Sequence, residues 1–319
     1  MAGLLVLGAS GFLGRALVDE ARREGDAPVT GVGRRSPDVE GADRWHQLDL
    51  TFASVSNVVD LLVSVSPSAV INCIGQTEGD RPSLGRANIV TIGVLLEALA
   101  RWGHMPRLVH LGSAAEYAAS PRGTSTREDD PLEPQTAYGI TKLAATRLVQ
   151  LAIGAGEIDG VVARIFNPLG PGMPESSMPG RAAHAIGRAA ANRLDTVTMG
   201  PLESYRDFVD TRDIAAGLLL LARADRLDHR TFNVATGVAR QARDVVRQIA
   251  EAAGYGGEVV ETAPHSPRSD FVAWQRADVS RLTALGWRAK HDLHSSIAAL
   301  VASITSGHVP GPVDESRRA

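Results

Sequence analysis

A tyrosine and a lysine, Tyr138 and Lys142, lie four residues apart in the run PQTAYGITKLAATRLVQLA. On a helix, side chains at this spacing project from one face. A lysine ammonium near a phenol lowers the pKa of the tyrosine, which eases proton exchange with a carbonyl oxygen near neutral pH. Because such pairs also occur by chance in helices, the catalytic interpretation needs support from the rest of the chain.

A hydroxyl group that could hold the same carbonyl oxygen stands 25 residues before Tyr138. Ser113 follows the apolar run RLVHLG at the end of a predicted strand. In a parallel sheet, functional residues gather at the carboxyl ends of the strands. Ser113 is therefore the third candidate catalytic residue, and Lys142 could in addition bind the ribose of a nicotinamide cofactor.

A glycine-rich turn links the first predicted strand to its helix. Such a turn lets the backbone approach a pyrophosphate, whose charge is stabilised by free N–H groups and the positive end of the helix. A tight turn alone would also use glycine, but this one follows an apolar strand and opens an amphipathic helix at the head of a strand–helix–strand pattern. The sequence GASGFLG therefore predicts a dinucleotide site with these contact residues: Gly8, Ser10, Gly11, Phe12, Leu13 and Gly14.

The end of the second predicted strand bears on the choice of cofactor. In VTGVGRRSPDV, Gly33, Arg34 and Arg35 stand where enzymes that select NAD usually have an acid for the ribose hydroxyls. Arginine at this place accommodates the 2′-phosphate of NADP, so the pair favours NADP(H). The alternative is that both arginines are solvated surface residues that bind no cofactor. Asp49 and Leu50, in HQLDLT, are expected near the adenine ring.

The first half of the chain alternates short β-rich runs with longer helical patterns. The predicted strands are LLVLGA, VTGVGR, AVINCIG, RLVHLGS and GVVARIF. Between them lie stretches such as GRALVDEARREG and ANIVTIGVLLEALARWG, whose apolar residues recur every three or four positions. This alternation predicts an α/β fold of the Rossmann type, a doubly wound parallel sheet covered by helices on both faces.

After Phe166 the composition changes, and the segment NPLGPGMPESSMPG is rich in proline and glycine. Such a segment predicts a loop that leads into a second region of the chain. We expect a smaller C-terminal α/β lobe with helices in RAAHAIGRAAA, ARDVVRQIAEAAGY and DLHSSIAALVASI. The tail after Ser306 is expected to be flexible. The predicted domains are as follows: an NADP-binding domain of residues 1–166 and about 205–232, a substrate-binding lobe of 167–204 and 233–306, and a tail of 307–319.

The charge and composition of the chain limit the kinds of partner and the compartment that we expect. The net charge of the 319 residues is −3, which gives no general attraction to nucleic acid or anionic membranes. No apolar run approaches the roughly 18 to 20 residues that span a bilayer. The single cysteine, Cys73, excludes an intrachain disulfide and favours a reducing cytoplasm. The histidines show no ligand spacing, so no metal site is predicted, and His110 is expected in the core.

Taken together, these motifs resemble the extended short-chain dehydrogenase/reductase family, whose members mostly act on nucleotide-activated sugars. The glycine turn, Ser113 and the Tyr138-x-x-x-Lys142 pair carry the resemblance, which extends to about residue 300. Asn88 matches the family's helix asparagine, and RIFNPLGPG matches its R-x-F-N-x-x-G-P-G segment. The run MGPLESYRDFVDTRDIAAG is similar to the branch of GDP-4-keto-6-deoxymannose reductases and GDP-mannose dehydratases.

The resemblance implies roles for particular residues. Ser113, Tyr138 and Lys142 would be catalytic, and Ser113 would also contact the substrate. The sugar nucleotide would further be bound by Asn167, Arg206 and Arg268, since the planar fork of arginine makes paired bonds to diphosphate oxygens. The family also commonly dimerises through four helices, so a homodimer is expected.

The residues after Ser113 help to separate the family's reactions. Sugar 4,6-dehydratases typically carry an acid at one or both of the next two positions, whereas this chain has Ala114 and Ala115, so dehydration is disfavoured. Glu116, one residue later, is expected to be structural or to lie at the rim. We therefore expect NADPH-dependent reduction of the 4-keto group of a GDP- or dTDP-4-keto-6-deoxyhexose.

Three alternatives stay open from the sequence. One is a nucleotide-sugar 4-epimerase with tightly bound NAD, and another is a reductase of a simpler ketone or aldehyde. A non-enzymatic NADP sensor is disfavoured because such proteins commonly lose the tyrosine or the lysine. Ala118, Leu169 and the run QTEGDRPSLGRAN depart from the family pattern, which leaves the identity of the sugar open.

Overall fold

The computed structural model describes residues 3–25, 28–34, 42–262 and 272–305. The strands are β1 (Leu4–Leu7), β2 (Val29–Gly33), β3 (Arg44–Gln47), β4 (Ala69–Asn72), β5 (Arg107–Ser113), β6 (Asp159–Ile165), β7 (Asn167–Leu169), β8 (Thr196–Met199), β9 (Tyr205–Asp210), β10 (Thr231–Val234), β11 (Ala239–Gln241) and β12 (Glu258–Glu261). The helices are α1 (Phe12–Arg23), α2 (Val55–Val65), α3 (Arg81–Gly85), α4 (Thr91–Trp102), α5 (Ala137–Gly154), α6 (Met178–Asn192), α7 (Thr211–Arg223), α8 (Ala242–Ala252), α9 (Ser280–Ala284) and α10 (Leu293–Thr305). A π-helical turn (Arg86–Val90) joins α3 to α4, and a 3-10 turn (Ala114–Glu116) follows β5.

The central feature is a parallel sheet with the strand order β10-β6-β5-β4-β1-β2-β3. All five strands predicted from the sequence lie in it, which confirms the predicted Rossmann-type fold. The chain runs outward from β1 through β2 to β3, and then outward on the other side from β4 through β5 to β6. The direction therefore reverses between β1 and β4, and ligands of such sheets bind beyond the carboxyl ends at this point.

Apolar residues on both faces of this sheet are covered by helices. On one face the strands pack against α1 and α7, and on the other face against α2, α4 and α5. Because both faces of the sheet are buried, the strands have continuous apolar sequences instead of alternating apolar and polar residues. In β1, for example, all four residues are buried. His110, in the middle of β5, is 1% exposed, which confirms its predicted place in the core.

The sequence led us to expect no apolar stretch long enough to span a bilayer, but Arg81–Trp102 is long and apolar enough, by length and composition alone, to do so. Its residues Ile92, Leu95 and Leu99 are buried and share a cluster with residues of the main sheet. This packing explains the apolar composition as that of a core helix.

A second group of elements follows β6. Strands β7, β9 and β11 form a three-stranded sheet, and β8 pairs with β12. Helices α6, α8 and α10, all predicted from the sequence, enclose a separate apolar cluster with these strands. Because α7 and β10 return to the main sheet, the chain crosses between the two groups more than once. The division into two domains stays a proposal, and the tail predicted to be flexible lies outside the described residues.

Candidate active site

The glycine turn connects β1 to α1 at the centre of the main sheet. Gly8 has a φ of +77°, in the left-handed region that favours glycine. A Cβ on Gly14 would come within 2.2 Å of the Gly8 carbonyl oxygen, and one on Gly11 within 3.2 Å of the same atom. The first amides of α1, at Phe12 and Leu13, have no intrahelical acceptor and are available to an anion. The turn therefore fits the pyrophosphate of a dinucleotide.

The end of β2 lies beside this turn. A Cβ on Gly33 would come within 2.9 Å of the Ser10 hydroxyl oxygen, so the two segments are in close contact. Arg34 follows directly, is exposed, and its carbonyl oxygen accepts a 3.1 Å hydrogen bond from the side chain of Gln47. A cation rather than an acid therefore stands at the carboxyl end of β2. Arg35, the second arginine of the predicted pair, lies outside the described residues.

The segment after β3 contains Asp49 and Leu50. Asp49 accepts hydrogen bonds from the backbone N–H of Thr51 at 3.0 Å and from its hydroxyl group at 2.5 Å. Leu50 is buried in the core cluster under the loop. Both residues thus shape the edge of the sheet next to β2, and their contact with an adenine ring stays a prediction.

Ser113 is the last residue of β5, which only β4 separates from β1. Its Oγ accepts a 3.1 Å hydrogen bond from the backbone N–H of Ala115, and its own N–H donates to Glu116 Oε1 at 2.8 Å. These reciprocal bonds form a capping box around the 3-10 turn. The hydroxyl of Ser113 is therefore held in a fixed position at the carboxyl edge.

Tyr138 lies in the first turn of α5. The Thr136 hydroxyl caps the helix by accepting the N–H of Gly139 at 3.0 Å. A Cβ on Gly139 would come within 2.4 Å of the Ala115 carbonyl oxygen, so the start of α5 packs directly on the turn that follows Ser113. The structure thus brings the half-buried Tyr138 to the same edge of the sheet as the candidate serine.

Lys142 lies one helical turn after Tyr138 and is 4% exposed. Its Nζ donates a 2.5 Å hydrogen bond to the carbonyl oxygen of Leu111, on the same strand as Ser113. Burial lowers the pKa of Lys142 to about 8, an effect partly opposed by the carboxylate of Glu116. Burial therefore makes this ammonium group a stronger acid than a solvated lysine.

Asn88 connects the π-helical turn to this region. Its Nδ2 donates to the carbonyl oxygen of Gln76 and to Oγ1 of Thr141, both at 2.9 Å, and its Oδ1 accepts the Gln76 N–H at 2.8 Å. A Cβ on Gly75 would lie 4.0 Å from Lys142 Nζ. Asn88 therefore fixes the loop after β4 beside the candidate lysine.

A buried ion pair lies behind the serine. Glu116 is 0% exposed and Arg164 is 1% exposed, with 2.9 Å between Oε2 and Nε. The other carboxylate oxygen, Oε1, accepts the Ser113 N–H and a 3.0 Å bond from the Thr146 hydroxyl. Both oxygens of Glu116 are engaged, so this acid is structural. Arg164 was not predicted from the sequence as the partner of Glu116, although this arginine opens the R-x-F-N segment.

The residues predicted to bind the sugar nucleotide lie on two paired strands. Asn167 opens β7, and its Nδ2 donates to the Asp207 carbonyl oxygen at 3.0 Å and to Gln275 Oε1 at 2.9 Å. Arg206 lies on β9, and burial lowers its pKa to about 10. In the part of the chain that the structure describes, no carboxylate forms an ion pair with it. This half-buried cation favours an anionic ligand. Arg268 lies outside the described residues.

Comparison with known proteins places this geometry in a family. Residues 4–235 match the profile of the NAD dependent epimerase/dehydratase family. The chain is 36% identical over 302 residues to dTDP-6-deoxy-L-talose 4-dehydrogenase (NAD(P)(+)) of Kitasatospora kifunensis, with 94% of each chain covered. It is 27% identical over 250 residues to GDP-6-deoxy-D-mannose reductase of Pseudomonas aeruginosa, covering 74% of this chain and 80% of the relative.

A solved structure shows the same architecture. The complex of MoeE5 with UDP-glucuronic acid and NAD superposes with a TM-score of 0.82 at 28% identity, covering 96% of this chain and 99% of MoeE5. The matched region spans the glycine turn, the β5 serine and the α5 pair described above. The chain is therefore an NAD(P)-dependent enzyme of the NAD dependent epimerase/dehydratase family, that is, an extended short-chain dehydrogenase/reductase.

Proposed function

We propose that the protein reduces the 4-keto group of a nucleotide 4-keto-6-deoxyhexose, carried on GDP or dTDP, to a hydroxyl group. Tyr138 donates the proton to the carbonyl oxygen, and Ser113 hydrogen-bonds that oxygen as negative charge develops on it. The ammonium of Lys142 favours the ionised phenol, so proton transfer occurs near neutral pH. Bound NADPH supplies the hydride.

The observation that carries this proposal is that none of the three residues after Ser113 offers a free acidic group to a substrate. Ala114 and Ala115 have no acidic group, and both oxygens of Glu116 are engaged by Ser113, Thr146 and Arg164. Dehydration would need an acid or base there to move protons at the sugar carbons. A hydroxyl, a phenol and an ammonium suffice for reduction of a carbonyl group, and two relatives are named for oxidation or reduction of 6-deoxyhexoses.

The cofactor of this proposal is NADP(H). Arg34 at the end of β2 offers a cation to a 2′-phosphate, and that position has no acid to select the ribose hydroxyls of NAD. Arg206 offers the complementary cation to the diphosphate of the sugar nucleotide. We place the activity in the cytoplasm, because a chain with one cysteine, Cys73, needs no oxidising compartment.

A 4-epimerase is the second candidate function. Epimerisation uses the same Ser113, Tyr138 and Lys142, and it regenerates its cofactor within each turnover, so it is associated with tightly bound NAD. The solved relative MoeE5 holds a nucleotide sugar, UDP-glucuronic acid, together with NAD, and the nucleotide sugar favours this alternative over a reductase of simple carbonyl compounds.

The test is to mix the purified protein with NADPH or NADH and, in turn, GDP- and dTDP-4-keto-6-deoxyhexoses, and to follow the absorbance of the reduced nicotinamide. We expect rapid loss of NADPH with one of these sugars and slower loss of NADH. No oxidation with any of them would reject the reductase. Stoichiometric NAD released by denaturing the purified protein would then identify the epimerase.

The pH dependence of this reaction should follow Lys142. Because burial brings the pKa of this ammonium down to about 8, its charge is present below that pH and is lost as pH rises through it. We expect kcat/KM to fall above about pH 8. The Lys142→Arg variant keeps its charge over this range, so its residual activity should show no such fall. An equal fall in both proteins would assign the titration to another group.

We further propose a homodimer formed through α4 and α5. Ile140, Leu148 and Leu151 lie within one side of α5 and are 56%, 37% and 70% exposed. An exposed apolar stripe of this kind is usual where a helix packs on a partner. Size-exclusion chromatography with light scattering should give about twice the chain mass, and a value near 33.7 kDa would contradict the dimer.

A further inference from the structure

Trp45, on β3, is not predicted from the sequence as a site residue, yet its indole ring lies beside the end of β2 at the candidate dinucleotide site. We propose that Trp45 is a specificity-determining residue for the cofactor, because it occupies the space that an acidic side chain at position 33 would need. Such an acid selects NAD, so the indole favours NADP(H). This inference rests on the cofactor of the proposed function and does not depend on the sugar.

Strand β2 carries glycine at two alternate positions, Gly31 and Gly33, which lie on one face of the strand. Val29, the preceding residue on that face, belongs to the apolar cluster that includes α1. Glycine in a strand weakens it and often marks a place where another group approaches closely. Two glycines in a buried strand of five residues therefore indicate a neighbour that fills the missing side-chain volume.

Trp45 is this neighbour. Strand β3 pairs in parallel with β2, with Trp45 opposite Gly31, and the indole packs against the apolar cluster on the same face. A Cβ on Gly31 would come within 2.8 Å of Cε3 and Cζ3 of the indole. A Cβ on Gly33 would come within 2.8 Å of Cζ2 and 3.0 Å of Cη2. The ring therefore lies against both glycines and reaches the carboxyl end of β2.

Position 33 is the place where a side chain of β2 would meet the cofactor. A Cβ on Gly33 would lie 2.9 Å from Ser10 Oγ, so a side chain here would point toward the glycine turn. Rossmann-type enzymes that select NAD use an acid at the end of β2, whose carboxylate binds the ribose hydroxyls. An acidic side chain at position 33 would have both the place and the direction for that contact.

The indole blocks such a side chain. Carbon atoms that are not bonded to each other attract best at about 3.5 to 4.0 Å, so a Cβ at 2.8 Å from the ring forces a shift. The hydroxyl of Ser10 can rotate away, whereas the indole is rigid and packs against the core. The preference for NADP(H) is therefore set by two features, the cation of Arg34 and the exclusion of an acid by Trp45.

The experiment is a double-mutant cycle on the affinity for NADPH and for NADH, measured by calorimetry on Gly33→Asp, Trp45→Leu and the double variant. We expect Gly33→Asp alone to weaken binding of both cofactors about tenfold, because the indole displaces the new side chain. In the double variant the carboxylate has room, so NADH should bind about tenfold more tightly than it binds to Gly33→Asp. NADPH should stay weakly bound, because the carboxylate repels the 2′-phosphate.

Gly33→Ala is a milder test, which decides the question if the aspartate variant folds poorly. It adds only the Cβ that meets the ring, so it should weaken NADPH binding about tenfold alone and have no effect beside Trp45→Leu. Gly187→Ala is the matched control, since a Cβ on this glycine of α6 would meet nothing closer than 3.8 Å. The control should keep both affinities, and thermal unfolding checks that each variant is folded.

Two results would overturn the role of Trp45 alone, provided that the wild-type protein prefers NADPH. One is equal NADH affinity of Gly33→Asp with and without the indole, and the other is an equal effect of Gly33→Ala in both backgrounds. A wild-type protein that binds NADH more tightly than NADPH would reject the proposed cofactor and this inference together. The expected coupling without NADPH oxidation by any keto sugar would support Trp45 and reject the reductase alone.

Discussion

Replacing Tyr138 by phenylalanine should lower kcat by a factor of about 10² to 10⁴, the range that a positioned general acid contributes. Tyr138 is half-buried in the first turn of α5, where Gly139 packs on the turn that follows Ser113. Phenylalanine keeps the ring and removes the hydroxyl group, whose proton the carbonyl oxygen receives. The loss should therefore appear in kcat, while KM for NADPH stays close to the wild-type value.

The measurement is steady-state oxidation of NADPH with the keto sugar that the wild-type protein accepts. The matched control is Tyr255→Phe, because the Tyr255 hydroxyl is buried with no partner among the described residues, and its removal should leave both rate and stability nearly unchanged. A Tyr138→Phe variant that turns over at the wild-type rate would show that another group supplies the proton.

Replacing Glu116 by alanine should reduce the free energy of unfolding by about 3 to 5 kcal/mol, the cost of leaving one partner of a buried ion pair alone. Arg164, at 1% exposure, would keep its charge without a counterion. The N–H of Ser113 and the hydroxyl of Thr146 would also lose their acceptor. The same change should lower activity, because Glu116 joins the serine turn to the helix that carries Lys142.

Urea unfolding monitored by circular dichroism measures this change. Glu251→Ala is the matched control, since Glu251 on α8 pairs with Arg247 at 3.4 Å on the surface, where the two side chains are 62% and 64% exposed. Exposed pairs of this kind contribute about 0 to 1 kcal/mol. If Glu116→Ala and Glu251→Ala destabilise the protein equally, the buried pair does not hold the serine turn in place.

The parts of the fold predicted from the sequence are those that local patterns determine. The five predicted strands have continuous apolar runs because both faces of the sheet are buried. Such a run can be recognised from a few consecutive residues of the sequence. The glycine turn is visible for a similar reason, since Gly14 must approach the Gly8 carbonyl oxygen within the same short segment. Ser113 and Tyr138 are candidates from the sequence because each stands at the end or the start of such an element.

The parts that the sequence did not predict depend on contacts between distant residues. Arg164 meets Glu116 across 48 positions, and Gln275 meets Ala114 across 161. Neither an arginine nor a glutamine has a local pattern that shows what it contacts after folding. The edge strands β3 and β10 were missed because they are short and, in β3, partly exposed, so their apolar pattern is weak.

The return of α7 to the main sheet has a consequence for how the protein is made. The apolar face of α1, with Leu17 and Val18, is covered by Ile214 and Leu218 of α7, about 200 residues later in the chain. A ribosome that has synthesised the cofactor turn, the serine and the tyrosine has not yet synthesised this cover. We therefore expect the nascent chain to expose an apolar surface until α7 emerges, and this surface would favour aggregation unless a chaperone covered it.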